Sequence, residues 1–166
     1  MGDVKFPILG STIPRMVGRS EILSDVLADL TKTTPSNLSI VGHRYHGKTV
    51  FMNELARQLG RGDDTPYEIV LYWHLGHVAP LSDGEFISEL CRRLRKELEV
   101  AEGDFADHME YLKGETYGDL SDVMDDLNSQ GKAVLMLWDG FDKPLGQGKL
   151  SGNLWDQMRT LFYGQI

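Results

Sequence analysis

The residues best suited to chemistry lie in the stretch NLSIVGHRYHGKTV, from Asn37 to Val50. A short apolar run is followed at once by Gly42-x-x-x-x-Gly47-Lys48-Thr49, which matches the phosphate-binding pattern G-x-x-x-x-G-K-[ST]. Glycines let the loop backbone approach a polyphosphate closely, and the helix that follows presents unpaired N–H groups to the anion. We therefore expect Lys48 to reach the β- and γ-phosphates of a nucleotide and the Thr49 hydroxyl to bind Mg²⁺.

A second candidate lies at the end of an uninterrupted apolar run, Ala133 to Trp138, which is typical of a strand buried on both faces. Asp139 follows this run, so we expect it at the sheet edge where ligands of α/β proteins bind. There it would hold the same Mg²⁺, directly or through water. Asp142 either orients the attacking water or forms the bend before Pro144, and the sequence leaves both roles open.

The elements that must position these residues alternate between strand and helix. Periodicity and punctuation predict a helix capped by Ser20, a strand at Leu38–Val41 before the loop and a second strand at Tyr67–Leu75. They then predict a helix capped by Asp83, one short helix within 101–115, a helix at 116–130, a Gly-rich loop at 144–152 and a last helix at Asn153–Tyr163. This alternation predicts an α/β fold with a mostly parallel sheet.

Composition limits the setting and the partners. The chain has 166 residues, a formal charge of −8 and a single cysteine, Cys91, so no disulfide forms within it and a cytoplasmic location is expected. The first residues lack the long apolar core of a signal peptide, and no apolar run approaches membrane-spanning length, so we expect no membrane partner. The acidic charge makes nucleic acid an unlikely partner. We interpret the basic cluster at 92–96 as the solvated face of a helix.

Three motifs resemble those of P-loop ATPases of the AAA+/STAND group, which includes NACHT-like and ORC-like proteins. Val17-Gly18-Arg19-Ser20-Glu21 is similar to the family's hhGRxxE box, Gly42–Thr49 to its Walker A motif and VLMLWDGFD, from Val134 to Asp142, to its Walker B motif. The resemblance implies a P-loop NTPase three-layer sandwich. It divides the chain into an N-terminal segment with the GR box, residues 1–19, and an ATPase core, residues 20–166.

The resemblance also implies ATP and Mg²⁺ as cofactors and assigns the site. The catalytic residues that it implies are Lys48, Asp139 and Asp142, and the implied metal ligands are Thr49 and Asp139. The implied nucleotide contacts comprise the GR box on the adenosine side and the whole loop on the phosphate side: Val17, Gly18, Arg19, Gly42, His43, Arg44, Tyr45, His46, Gly47, Lys48, Thr49 and Val50. Lys143 stands where the family often has Glu, so we expect slow hydrolysis.

In this family the strand order is 5-1-4-3-2, and the Walker B strand is strand three. The chain ends about where strand four would begin, so we expect strands four and five, the sensor residue, the arginine finger and the lid to lie outside it. It would then be a fragment, a truncated gene product or one piece of an assembly. Alternatively, the two Walker strands are neighbours, as in kinase- and GTPase-type P-loop proteins, and the short chain is self-sufficient.

The leading hypothesis is an ATP-binding regulatory domain of a STAND-like signalling or defence ATPase. Its nucleotide state would control a protein partner or homo-oligomer through regions outside this chain. One alternative is an ORC-like, DNA-associated AAA+ ATPase, which the acidic charge disfavours. Another is a degenerate, non-catalytic interaction module. A small-molecule kinase is weaker, because nothing in the sequence marks an acceptor pocket.

Overall fold

The computed structural model of the chain describes residues 16–60, 65–76 and 79–163. Most of the expected N-terminal segment, residues 1–15, therefore lies outside the described residues. The chain divides into two compact units, Met1–Thr65 and Pro66–Ile166, which are described separately below. None of the described helices is both long and apolar enough to cross a membrane.

Two helices lie in the described part of the first unit, α1 (Ser20–Leu30) and α2 (Lys48–Leu59). Each helix buries apolar side chains on one face. The buried residues of α2 are Phe51, Met52, Leu55 and Leu59. The expected cap at Ser20 was wrong. The helix begins at that residue, and Arg19 occupies the cap position in a left-handed conformation, with no side chain bonded to the free amides.

The predicted strand before the phosphate loop was also wrong, because Leu38–Val41 has no regular secondary structure. A strand is stable when a neighbouring strand takes up its N–H and C=O groups, and no described strand pairs with this segment. Its apolar side chains are not buried either, since Val41 is 88% exposed. Apolar composition alone therefore does not make this segment a strand.

The second unit is built on two parallel strands, β1 (Tyr67–His74) and β2 (Ala133–Asp139). The register pairs Tyr72 with Leu137 and His74 with Asp139, so both strands end level. These are the second strand and the Walker B strand predicted from the sequence. The α/β class and the parallel pairing are confirmed, with a sheet of two strands in the described residues.

In the residues described for this unit, five helices accompany the sheet: α3 (Asp83–Val100), α4 (Ala106–Tyr111), α5 (Tyr117–Ser129), α6 (Asp142–Gly146) and α7 (Gly152–Tyr163). A 3₁₀ turn lies at Leu112–Gly114. The hydroxyl of Ser82, rather than Asp83, caps α3 by accepting from the Glu85 amide at 3.2 Å. Thr116 and Asp119 form a reciprocal capping box at α5. The predicted loop at 144–152 was partly wrong, because α6 extends into it.

The core of the second unit lies between one face of the sheet and the helices. Ile69, Leu71 and Trp73 of β1 pack there against the buried face of α3 and residues of α5 and α7. Cys91 is fully buried, as predicted, and this burial raises the pKa of its thiol to about 12. The thiol is therefore a packing group rather than a nucleophile.

Truncating a core residue of α3 should destabilise the second unit. Leu90 is 0% exposed, so we expect Leu90→Ala to lower the free energy of unfolding by about 3 kcal/mol through lost burial and the cavity left behind. Leu145 is 50% exposed, and we expect Leu145→Ala to cost less than about 1 kcal/mol. Urea unfolding followed by tryptophan fluorescence measures both, and equal losses would contradict this description of the core.

Candidate nucleotide-binding site

The phosphate loop is an exposed turn that leads directly into α2. Gly47 occupies the cap position of α2 with φ +73°, a left-handed conformation that costs an L side chain strain. No side chain caps the helix. The amides of its first turn therefore point out of the helix without a side-chain acceptor, as an anion site requires.

The side chain of Lys48 reaches from the end of the loop back to its start. Its Nζ donates to the carbonyl oxygens of Gly42 at 2.6 Å and His43 at 2.9 Å. The ammonium group therefore lies at the start of the loop while its backbone lies at the end. A phosphate oxygen placed within the loop would be a stronger, charged acceptor for the same group.

The GR box lies beside this loop within the first unit. Gly18 and Arg19 both have positive φ, +75° and +58°, so the chain turns sharply before α1. This turn brings Nη1 of Arg19 to 3.7 Å from the position a Cβ would take at Gly47. A second cation is thus placed at the mouth of the loop, and two of the three predicted motifs are brought together.

The remaining loop residues differ in their surroundings. The rings of His43 and His46 meet edge to face, 5.5 Å between centroids. Tyr45 is 99% exposed and has φ +66°, which is unusual outside glycine. Arg44 is also exposed, whereas Thr49 and Val50 are partly buried in the first turn of α2. The loop is locally basic although the chain as a whole is acidic.

The second predicted half of the site is in the second unit, at the end of β2. Asp139 is buried, and its Oδ2 accepts a hydrogen bond of 3.0 Å from the hydroxyl of Tyr72. The same oxygen lies 3.9 Å from Nδ1 of His74. That nitrogen also accepts a hydrogen bond from the Gly76 amide at 3.1 Å. Two side chains of β1 therefore surround the carboxylate.

The turn after Asp139 packs closely against the end of β1. Gly140 has φ +72°, and a Cβ there would lie 2.9 Å from the Gly76 nitrogen. Lys143 donates to the Gly76 carbonyl. Asp142 is exposed and begins α6, which follows that turn directly.

Sequence reasoning missed Tyr72 and His74 as neighbours of the candidate metal ligand. Tyr72 and His74 are two residues apart in β1, so their side chains lie on the same face of the sheet. The parallel register pairs His74 with Asp139 and so puts the Asp139 side chain on that face too. The alternation is readable in the sequence, but the pairing partner of β1 is not. His77, which follows β1 closely, lies outside the described residues.

Comparisons of the chain with protein-family models, curated proteins and solved structures found no match. Which ligand suits the loop must therefore be judged from the chemistry of its residues. Uncapped amides, Lys48 and Arg19 form a donor set that suits a polyphosphate. The two residues expected to hold Mg²⁺, Thr49 and Asp139, belong to different units. Within the described residues, no three His, Cys, Asp or Glu side chains are grouped closely enough to hold a metal ion.

A matched pair of glycine substitutions tests the loop conformation. We expect Gly47→Ala to lower the free energy of unfolding by about 1 kcal/mol, because alanine is strained at this positive φ. Gly84 lies in the first turn of α3, and an added Cβ there meets open space. We expect Gly84→Ala to raise the same free energy by about 0.5 kcal/mol. Urea unfolding followed by circular dichroism measures both, and a neutral or stabilising Gly47→Ala would contradict the loop geometry.

Proposed function

We propose that this chain binds ATP with Mg²⁺ through residues 42–50 and is the nucleotide-binding part of a STAND-like regulatory ATPase. The observation that carries the proposal is the arrangement around Gly47. An uncapped helix begins there, Lys48 reaches back across the loop, and the guanidinium of Arg19 lies alongside. Each feature favours binding of a multiply charged anion. The helix supplies oriented backbone N–H dipoles, and Lys48 and Arg19 supply positively charged side chains.

The adenosine side of the proposed site is the GR box. The groove of about 770 Å³ in the same unit lies elsewhere, between α1 and α2, and Val17, Gly18 and Arg19 are not in its lining. It is lined by Met16, Ser20, Leu23, Ser24, Leu27, Glu54, Arg57 and Gln58. The proposed preference for adenine over guanine rests only on the resemblance of the GR box to the hhGRxxE box of AAA+/STAND ATPases.

The strand pairing supports our proposal of a P-loop sandwich fold. In the strand order of the AAA+/STAND ATPases that the motifs resemble, the Walker B strand has strand two as a neighbour. The observed partner of β2 is β1, the strand that precedes it in the chain, and the two run parallel. We propose Asp139 and Thr49 as the Mg²⁺ ligands, since Mg²⁺ prefers oxygen donors and neutralises charge on the phosphates when bound.

The surroundings of Asp139 favour nucleotide binding with slow hydrolysis. Tyr72 donates to its carboxylate, which orients that group and satisfies one of its lone pairs. Lys143 replaces an expected carboxylate and is held by the Gly76 carbonyl. Asp142 is the remaining acid near this turn and the one we propose to orient a water molecule. A slow enzyme of this kind would serve as a switch, with its nucleotide state controlling a protein partner or self-assembly.

One observation favours a second candidate, a non-catalytic interaction module. The segment Leu38–Val41 is not a strand, whereas a working phosphate loop normally follows one. In that case Lys48 would serve only to hold the loop through its own carbonyls. Nucleotide binding by the chain separates the two candidates. A DNA-associated ATPase is less well supported, given the formal charge of −8.

Thermal unfolding of the 166-residue chain tests the proposal directly. At a hundredfold excess over its dissociation constant, a ligand stabilises the folded protein by about 2.7 kcal/mol. We expect Mg-ATP and Mg-ADP to raise the midpoint temperature by several degrees and Mg-GTP to raise it less. Lys48→Ala should abolish the shift, because the loop loses its phosphate-binding ammonium.

Lys32→Ala is the matched control, since Lys32 is an exposed lysine that pairs with Asp29 in the same unit. It should retain the full shift. A cooperative transition with no shift for any nucleotide would instead select the interaction module.

Asp139→Asn tests the second half of the site independently. We expect it to reduce the extra stabilisation that Mg²⁺ adds to ATP, because the amide removes the anionic oxygen ligand. Binding of ATP in the presence of EDTA should persist, since it depends on the loop. The measurement is the thermal shift with and without Mg²⁺, and an unchanged Mg²⁺ effect would contradict the assignment of Asp139.

A further inference from the structure

The two carboxylate oxygens of Asp139 have different surroundings. Asp139 is 6% exposed at the end of β2, so its side chain is largely shielded from water. Oδ2 accepts the hydrogen bond of 3.0 Å from the Tyr72 hydroxyl, and Nδ1 of His74 lies 3.9 Å from the same oxygen. Within the described residues, Oδ1 accepts no hydrogen bond, and it is not among the polar atoms sealed in the interior without a partner. One oxygen is therefore occupied, and the other is left for a ligand.

Strand pairing fixes the position of the Tyr72 hydroxyl. Tyr72 is half-buried near the end of β1, and the register places it diagonally across from Asp139 on the same face of the sheet. A long aromatic side chain reaches such a diagonal neighbour. The contact joins two strands that are hydrogen-bonded to each other, and groups held on strands are positioned more precisely than groups on loops.

The Tyr72 hydroxyl limits how the Asp139 carboxylate can bind a cation. Ca²⁺ takes carboxylates through one or both oxygens in a flexible shell, whereas Mg²⁺ demands near-ideal octahedral geometry at shorter distances. Because Tyr72 holds Oδ2, Asp139 presents only Oδ1 to a cation. A carboxylate limited to one oxygen suits Mg²⁺ and lacks the two-oxygen binding mode that is available to Ca²⁺. A hydrogen bond to a ligating carboxylate also fixes its orientation.

We infer that Tyr72 is a positioning residue that makes the proposed metal site select Mg²⁺ over Ca²⁺. Its hydroxyl holds Oδ2 of Asp139, and the carboxylate binds the cation through Oδ1 alone. The inference rests on the proposed function, in which Asp139 is a ligand of the Mg²⁺ that accompanies ATP. It goes beyond that function because it names the residue that sets the choice of metal.

Isothermal titration calorimetry on the 166-residue chain tests the inference. The probes are Mg-ATP, Ca-ATP and ATP with EDTA, and the quantity compared is the dissociation constant of Ca-ATP divided by that of Mg-ATP. We expect this ratio to exceed one in the wild-type chain. Tyr72→Phe should lower it about tenfold, because losing a hydrogen bond that orients a metal ligand costs metal affinity on this scale. The affinity for ATP with EDTA should stay unchanged, since the loop binds the phosphates.

Tyr117→Phe is the matched control. Tyr117 is also a half-buried tyrosine of the second unit, and its hydroxyl donates a hydrogen bond of 3.0 Å to the Gln157 carbonyl. Its substitution removes a bond of the same length that does not involve Asp139. We therefore expect Tyr117→Phe to lower the free energy of unfolding about as much as Tyr72→Phe does. The ratio of dissociation constants should change by less than about twofold, because sites without shared contacts act independently.

A double-mutant cycle separates the positioning of Asp139 from a general structural role. Asp139→Asn removes the charged ligand, so adding Tyr72→Phe to it should change the ratio by less than about twofold. A role of Tyr72 in the packing of the sheet would instead act equally in both backgrounds. Tyr72→Phe keeps the aromatic ring, and circular dichroism with urea unfolding verifies that each variant folds.

The inference is overturned by any of three results. The first is a ratio of one or less in the wild-type chain, which needs no variant. The second is an equal effect of Tyr72→Phe and Tyr117→Phe on the ratio. The third is an undiminished effect of Tyr72→Phe in the Asp139→Asn background.

The outcome for the proposed function is read separately from the same titrations. If Asp139→Asn removes the effect of Mg²⁺ on ATP binding while Tyr72→Phe leaves the ratio unchanged, only the inference about Tyr72 fails. If Mg²⁺ has no effect on ATP binding in the wild-type chain, the assignment of Asp139 and the inference fail together.

Discussion

The second unit depends on the parallel pairing of β1 with β2. Parallel strands need a long crossover between them, and here α3, α4 and α5 provide it. The helices bury one face of the strand pair and so generate the core around Phe86, Leu90 and Trp73. The same register brings Tyr72 and His74 level with the end of β2. The surroundings of Asp139 are thus a direct consequence of strand pairing rather than of local sequence.

The first unit depends on a different constraint, the unpaired amides at the start of α2. A helix that begins without a side-chain cap leaves donors that need an acceptor. Gly47 permits the turn that presents them, and Lys48 and Arg19 add positive charge around it. The chain therefore maintains a local basic site on an acidic protein.

The sequence by itself determined the elements whose signals are local. The helical stripes of α2, α3, α5 and α7, the apolar run of β2, the burial of Cys91 and the phosphate-loop pattern were all readable, because periodicity, glycine spacing and a helix start depend on near neighbours. Only the tertiary structure decided which strands pair. Leu38–Val41 has strand-like residues but pairs with no described strand, so it is not a strand, whereas β1 pairs with a strand about 65 residues further along the chain. The neighbours of Asp139 and the position of Arg19 beside the loop also required the fold, because each joins residues distant in the chain.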